Sequence, residues 1–331
     1  MKILVTGGFG NIGQQVVNEL IKSNHEVRVF DLKNKKNLKL SKKYKKVEVF
    51  WGDITKYEDI KAAIENIDLV VHLAFIIPKI SSTEFDIEKV PKIAEKINVL
   101  GTKNLIFAME KEGKPKKIIF TSTCHVYGLT QHLMPPRKVT DEVNPNDIYS
   151  YHKVLCEKMI QNSELKYLIL RLGASLTFDL RIEKFVKGLF EVPLNNRIEF
   201  VHSKDIAVAI SNAIKRDDLW GKILNIGGGK RCQFYYKDFV SEILDAIGIG
   251  MLPDELFTKN YFAVDFLDTE ESERLLCYQK RDLKDFIKDL KREMGYKLYL
   301  IKIFKPFIRI YLISKSPNYS NMLINYFISK K

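Results

Sequence analysis

The first thirteen residues restrict the fold more than any other part of the chain. A short apolar run at Lys2–Thr6 leads without a break into Thr6-Gly7-Gly8-Phe9-Gly10-Asn11-Ile12-Gly13, and Ile12, Val16, Val17 and Leu20 then recur at helical spacing. Strand, glycine turn and helix in that order form the start of a nucleotide-binding βαβ unit. The glycines at 7, 10 and 13 have separate tasks. One permits the tight turn, one lets the backbone approach a pyrophosphate, and one lets helix and strand pack closely. The N–H groups and dipole of the helix then face the phosphates.

A second apolar run ends at Asp31, eighteen residues after Gly13. A carboxylate there can accept both ribose hydroxyls of an adenosine and repels a 2′-phosphate, which points to NAD in preference to NADP. Lys33, Lys35 and Lys36 follow closely and offset part of that repulsion. Gly52-Asp53-Ile54 follows the third run. Asp53 can accept from an adenine amino group or cap a helix, and the two roles are compatible.

β-branched runs alternate with amphipathic stretches through the first half, the pattern of βαβ units and a parallel sheet. Strands are expected at 2–6, 26–30, 47–51, 69–73, 117–122, 167–171 and 223–226. Helices are expected within 53–66, at 91–111 with Pro91 in the first turn, at 148–162, and at 203–214 with Ser203 as N-cap. The chain has 331 residues, 46% of them hydrophobic, which suits one large α/β domain and a smaller lobe. The expected division is a Rossmann domain over 1–172 and 201–228, and a mostly helical substrate lobe over 173–200 and 229–331. The fold class is thus α/β, a doubly wound parallel sheet.

The net charge of +13 is concentrated in two places. Eight lysines and no acid lie between Lys33 and Lys46; six lysines, one arginine and no acid lie from Lys297 onward, and the rest is close to neutral. That is not the single basic surface of a nucleic-acid binder, and the first cluster reads as a solvated loop. The opening MKILVTGGFG has no export signal, and the four scattered cysteines (Cys124, Cys156, Cys232, Cys277) suggest reduced thiols in a cytoplasmic setting and no metal site.

Several segments together resemble the extended short-chain dehydrogenase/reductases, also called the NAD-dependent epimerase/dehydratase family. They are TGGFGNIG at 6–13, Asp31, GDI at 52–54, HLA at 72–74, NVLGTKNL at 98–105, TSTCHVYG at 121–128, YSYHK at 149–153, FVHSKDIAVAI at 200–210 and LNIGGG at 224–229. They follow the family's order and span roughly 1–247. The resemblance implies cofactor contacts at Gly7, Phe9, Gly10, Asn11, Ile12, Gly13, Asp31, Asp53, Ile54, Leu73, Ala74, Thr121, Lys153 and Leu172. It implies a catalytic set of Tyr149, Lys153 and Thr123, and a homodimer paired through the helices near 91–111 and 148–163. Residues four apart share a helix face, so the Lys153 ammonium is expected beside Tyr149 and the nicotinamide ribose, lowering the phenol's pKa. Tyr151 has Leu155 four residues on and reads as structural; Asn98 reads as structural or water-positioning.

Two departures narrow the reaction. Sugar dehydratases of the family carry an Asp-Glu pair after the catalytic Ser/Thr, and here Cys124 and His125 stand there, which disfavours elimination of water. His125 reads as a packed or hydrogen-bonded side chain, with an acid role as the alternative. After Arg171 the sequence is Leu-Gly-Ala-Ser, without the Asn and Tyr-Gly-Pro usual for nucleotide-sugar enzymes, and the insertion that grips the diphosphate is short. Arg181, Lys184, Lys187 and Arg197 remain as anion contacts, but a smaller or less polar alcohol or ketone gains ground. The function expected is hydride transfer to or from a carbinol or ketone. A nucleotide-sugar epimerase and a non-catalytic NAD-binding regulator are the alternatives. The segment 299–313, YLIKIFKPFIRIYLI, is too short and charged to span a bilayer, and Pro306 interrupts any helix there. It reads as a helix docked on the substrate lobe with its cations in water; contact with a membrane interface is the less favoured alternative.

Overall fold

The computed structural model describes residues 1–77, 91–176 and 188–320. Seven strands form one parallel sheet: β1 (Lys2–Thr6), β2 (Glu26–Asp31), β3 (Glu48–Trp51), β4 (Leu69–His72), β5 (Lys117–Thr123), β6 (Lys166–Leu172) and, later in the chain, β8 (Lys222–Ile226). Their order is β3-β2-β1-β4-β5-β6-β8, so the winding reverses between β1 and β4. A crevice opens at the carboxyl ends of the strands at that point. This is the doubly wound parallel sheet expected from the alternating pattern.

The strands alternate faces, and each face buries its own layer. Ile3, Val5, Val29, Val71 and Ile119 meet Val16, Val17 and Leu20 of α1 (Asn11–Lys22) and Ile206 and Ile210 of α7 (Ser203–Ala213). Leu4, Phe30, Val70, Ile118 and Phe120 point the other way. They are covered by α3 (Tyr57–Ala63), α5 (Gly101–Lys111) and α6 (Ile148–Gln161), through Ile60, Leu105, Met109 and Ile160. Gly101 makes the α5 contact close, because a Cβ there would stand 2.7 Å from Ile54 Cγ2.

Local structure departs from the sequence pattern where side chains take over capping. The lysine-rich stretch expected as a loop contains α2 (Lys35–Ser41), started by Asn34, whose side chain accepts the Asn37 N–H at 2.8 Å. The helix expected within 53–66 begins only at Tyr57, because residues 53–56 form a turn in which Asp53 Oδ1 accepts the Thr55 N–H at 2.9 Å. Asp53 therefore caps a turn, not α3. The N-cap of α7 is His202 instead of Ser203; its Nδ1 accepts the Lys204 N–H at 3.1 Å. The long helix at 91–111 is α4 (Pro91–Glu95) running on through a π-helical turn at Lys96–Leu100 into α5.

A third apolar cluster lies in the lobe, built on α8 (Tyr236–Ala246), α10 (Leu283–Met294) and a two-stranded antiparallel ribbon. That ribbon, β7 (Arg197–Glu199) with β9 (Gln233–Tyr235), has no counterpart in the sequence expectations, since strands of three residues show no periodicity. The buried Glu199 ties the ribbon to the rest by accepting the N–H groups of Gly229 (3.0 Å) and Leu267 (2.8 Å). A short helix α9 (Glu270–Leu276) and then α11 (Lys297–Ile303) and α12 (Lys305–Ser314) complete the described chain. The break falls at Phe304, and Pro306 lies in the first turn of α12, where its missing N–H costs nothing.

Candidate active site

The glycine turn forms a cradle that side chains would fill. Gly7 has φ +68°, and a Cβ on it would stand 2.9 Å from the Ala74 backbone. A Cβ on Gly13 would stand 2.3 Å from the Gly7 carbonyl oxygen, and one on Gly10 3.1 Å from the same atom. Gly10 is the N-cap of α1, no side chain caps the helix, and its first turn carries no acid. The first N–H groups of α1 thus lack a side-chain acceptor, the arrangement an anionic pyrophosphate fits. Asn11 and Ile12 occupy that first turn, with Asn11 Nδ2 reaching the Leu176 carbonyl at 3.2 Å.

Asp31 stands at the tip of β2 above this turn. Its Oδ2 accepts the Phe9 N–H at 3.0 Å; its Oδ1 accepts the Leu32 N–H at 2.8 Å and Asn37 Nδ2 at 3.0 Å. Burial pushes its pKa up from the ordinary carboxylate value, and these donors work against the rise. Two donors saturate Oδ1, which leaves Oδ2 with one further acceptor position among the described contacts. The Phe9 ring is buried against Tyr44 and Trp51, so only its backbone borders the cradle.

A chain of oriented hydrogen bonds fixes the floor of the crevice. Thr6 Oγ1 accepts the N–H groups of Leu73 and Ala74, both at 3.2 Å, so its own proton goes to His72 Nδ1 at 2.7 Å. His72 then donates from Nε2 to Thr102 Oγ1 at 3.0 Å, and Thr102 donates to the Asn98 carbonyl at 2.5 Å. Burial, and then the Lys153 charge, hold His72 down at about 3, which keeps it neutral as this arrangement requires. Asn98, in the π-helical turn, holds the backbone of Ile76 with both ends of its amide, at 2.7 and 2.9 Å. Its role is structural. His72 lies inside one of the family-like segments, yet nothing in the residue order signals a relay through Thr6 and Thr102.

Tyr149 lies in the first turn of α6, which Asp147 caps by accepting the Ser150 N–H at 2.6 Å. Burial raises the Tyr149 pKa above that of a free phenol, and a side-chain hydrogen bond with Thr123, at the end of β5, works against the rise. Lys153, one turn on, donates from Nζ to the Thr121 carbonyl at 2.6 Å and sits 3.6 Å from the Phe75 ring centroid. Its Nζ is 5.9 Å from the Tyr149 ring centroid. The shared helix face is as expected. Without the nicotinamide cation that the expectation also counts on, burial acts on both groups: it raises the phenol's pKa and pushes the Lys153 ammonium itself down to about 7. Tyr151 is more than half exposed.

Lys153 makes stability depend on pH in a definite direction. Its folded pKa lies below the unfolded one, so between about pH 7 and the ordinary lysine value the unfolded chain binds more protons. Stability of the nicotinamide-free protein should then rise with pH across that window, by at most about 1.4 kcal/mol per pH unit. Urea unfolding at neutral and alkaline pH tests this, and Lys153→Met should flatten the rise; equal slopes for the two proteins would contradict it.

The structure also brings together residues that sequence reasoning left apart. His125 Nδ1 stands 3.6 Å from Asp147 Oδ2, and the His125 ring meets Tyr149 edge-on at 5.8 Å and Phe262 of the lobe at 5.2 Å. Burial pushes the Asp147 carboxyl up, but the bonds from His125 and Ser150 outweigh it and hold it below the usual range. Of the cations considered as anion contacts, Arg197 is engaged with Asp265 at 2.6 and 2.9 Å, and Arg181, Lys184 and Lys187 lie outside the described residues. Arg171 is buried and bidentate on Glu157, at 3.1 and 2.7 Å. Ile54 and Leu172 are buried at the edges of the crevice, the latter at the end of β6.

A parallel sheet with a glycine cradle at its switch point and a tyrosine–lysine turn beside it defines a Rossmann-type dinucleotide enzyme. Residues 3–227 match the model of the NAD dependent epimerase/dehydratase family, and the chain belongs to that family. It is 28% identical to a putative UDP-glucose 4-epimerase of Methanocaldococcus jannaschii, over 86% of this chain and 96% of that protein. It is 29% identical to a 3-beta-hydroxysteroid dehydrogenase of Mycolicibacterium neoaurum, over 62% of this chain but only 56% of that one. In fold it matches a short-chain dehydrogenase/reductase superfamily protein of Agrobacterium tumefaciens solved with bound NAD: TM-score 0.73, 17% identity, 91% of this chain and 99% of that one.

Proposed function

We propose that the chain interconverts a carbinol and a ketone, with Tyr149, Thr123 and Lys153 as the catalytic set and the cradle at Gly7, Gly10 and Gly13 as the NAD site. The observation that carries this reading is the partly buried Tyr149 side chain in the first turn of α6, one helical turn before Lys153, whose Nζ donates to the Thr121 carbonyl two residues from Thr123 at 2.6 Å. Bound nicotinamide supplies the hydride acceptor, and its reduced form the donor. Tyr149 holds the proton on its phenolic oxygen and passes it to the substrate oxygen as a ketone is reduced, or takes it from the hydroxyl as a carbinol is oxidised. Thr123 donates a hydrogen bond to that oxygen, and Lys153 orients the nicotinamide ribose. A raised phenol pKa suits proton donation, so oxidation should gain rate as pH rises. The same alkaline gain in reduction would count against Tyr149 as the proton donor.

An apolar substrate suits this site best, because Phe75 and His125 border the Tyr149 ring, Phe262 packs on His125, and Arg171 and Arg197 are held by internal carboxylates. A nucleotide-sugar epimerase is the second reading, favoured by the near full-length likeness to the archaeal putative epimerase. Following nicotinamide absorbance with steroid-like and short-chain alcohols tests the first; chromatographic conversion of UDP-glucose, with no net change in absorbance, would replace it with the second. A protein that binds NAD and turns over neither class would instead be a regulator.

Asp31 sets the choice of nicotinamide in this reading. Asp31→Ala should weaken NAD by about 10–100-fold, the loss of a hydrogen bond to a charged group, and raise the relative affinity for NADP. The ratio of the two dissociation constants is the measurement, since general loosening of the turn affects both alike; an unchanged ratio would remove Asp31 from the ribose site.

A further inference from the structure

We propose that α11 and α12 form a docking surface for an anionic lipid membrane, lying flat in its interface. Their inner side is fixed to the lobe. Leu298, Ile301, Ile308 and Ile313 pack on its core, and Leu312 is fully buried there. Arg309 Nη1 donates to the carbonyls of Ile249, Gly250 and Met251, each at 2.9 Å, and the Ser316 hydroxyl to that of Leu256 at 2.6 Å. The helices are thus held in place, as the docked-helix reading of the sequence expected. That reading placed the cations in water, and the structure shows that apolar side chains share the outer side with them.

The outer side is apolar as well. Tyr299, Ile303, Phe304, Phe307 and Ile310 are all more than half exposed, Phe307 by 71% and Ile310 by 65%. Tyr299 and Ile303 share a face of α11 and Phe307 and Ile310 a face of α12, with Phe304 exposed at the junction between them. An apolar face of this kind on a folded protein marks a contact surface. Lys297, Lys302, Lys305 and Lys315 are exposed on the same two helices or just after them, Lys302 and Lys305 beside Gly248 and Gly250 of the lobe, and from Lys297 onward the chain has no acid at all. Aromatic rings, aliphatic side chains and lysines are the composition that settles at the level of lipid headgroups.

Charge decides between the possible occupants. A second copy would bring its own lysines of this segment to the same interface, with no acid in the segment to oppose them. Anionic headgroups supply the missing charge, and each cation near such a surface strengthens binding. No helix among the described residues is long and apolar enough to cross a membrane, so the contact is peripheral. Nothing in this depends on the substrate or on the roles of Tyr149 and Lys153.

The full chain should sediment with vesicles of phosphatidylglycerol and phosphatidylcholine at low salt, and about tenfold less with phosphatidylcholine alone. Phe307→Ser with Ile310→Ser, both exposed and so neutral to folding, should weaken binding about tenfold or more. Lys302→Glu with Lys305→Glu should keep the apolar face and lose the preference for anionic lipid. Thermal unfolding checks that each variant is folded. Absence of sedimentation with either vesicle overturns the proposal. So does a wild-type dimer that Phe307→Ser dissociates, since the face would then belong to a second copy.

Discussion

Tyr149→Phe should reduce turnover by about 10²–10⁴-fold, the usual contribution of a positioned proton donor, while NAD still binds. The substitution removes one oxygen and keeps the ring, so the contacts of that ring with Phe75 (6.0 Å) and His125 (5.8 Å) survive and the first turn of α6 stays in place. The cradle at Gly7, Gly10 and Gly13 is on another element and is untouched. Turnover and NAD affinity must therefore separate. Steady-state rates and equilibrium titration on the same preparation measure both. Normal turnover by the Tyr149→Phe variant would remove the phenol from the mechanism; loss of NAD binding in parallel would make Tyr149 a structural residue.

Glu157→Gln should be strongly destabilising for so conservative a change. Glu157 and Arg171 are each about 4% exposed and hold each other through two hydrogen bonds. Neutralising one partner strands the other charge away from water, at a cost of about 3–5 kcal/mol. Replacing both, Glu157→Leu with Arg171→Met, should recover most of that loss, because an apolar pair of similar volume needs no desolvation of charge. Urea unfolding of the single and double variants gives the comparison, and a single-variant cost below about 1 kcal/mol would show that water reaches the pair. The double variant also tests function. If Arg171 does not touch substrate, KM is unchanged in it; a large rise in KM would return Arg171 to the substrate site.

Reading the sequence went furthest where the residue pattern is dictated by backbone geometry. Gly7, Gly10 and Gly13 have no room for a side chain, and the strands of a sheet covered on both faces must be largely apolar, so both were visible in residue order. The family followed from those segments. Capping was less legible: His202 starting α7 and Asn34 starting α2 are choices between neighbouring polar residues that propensity alone does not separate. Three-residue strands such as β7 and β9 are too short for any period.

The electrostatics of the site were not legible at all. That Tyr149 and Lys153 share a helix face is arithmetic on the helix repeat. Whether the ammonium lowers the phenol's pKa depends on how deeply both are buried, and here burial prevails over their mutual effect. Arg197 was a candidate anion contact on paper; tertiary structure gave it a carboxylate from a distant segment, Asp265. The C-terminal helices show the same limit. Their composition announced two faces, but only the packed structure showed which residues the lobe covers and which it leaves outside. Sequence thus determined the sheet, the glycine cradle and the spacing of Tyr149 and Lys153 on one helix face, because these follow from local backbone constraints. The charge state and partners of each polar side chain were decided by tertiary structure, because they depend on burial and on contacts between residues far apart in the chain.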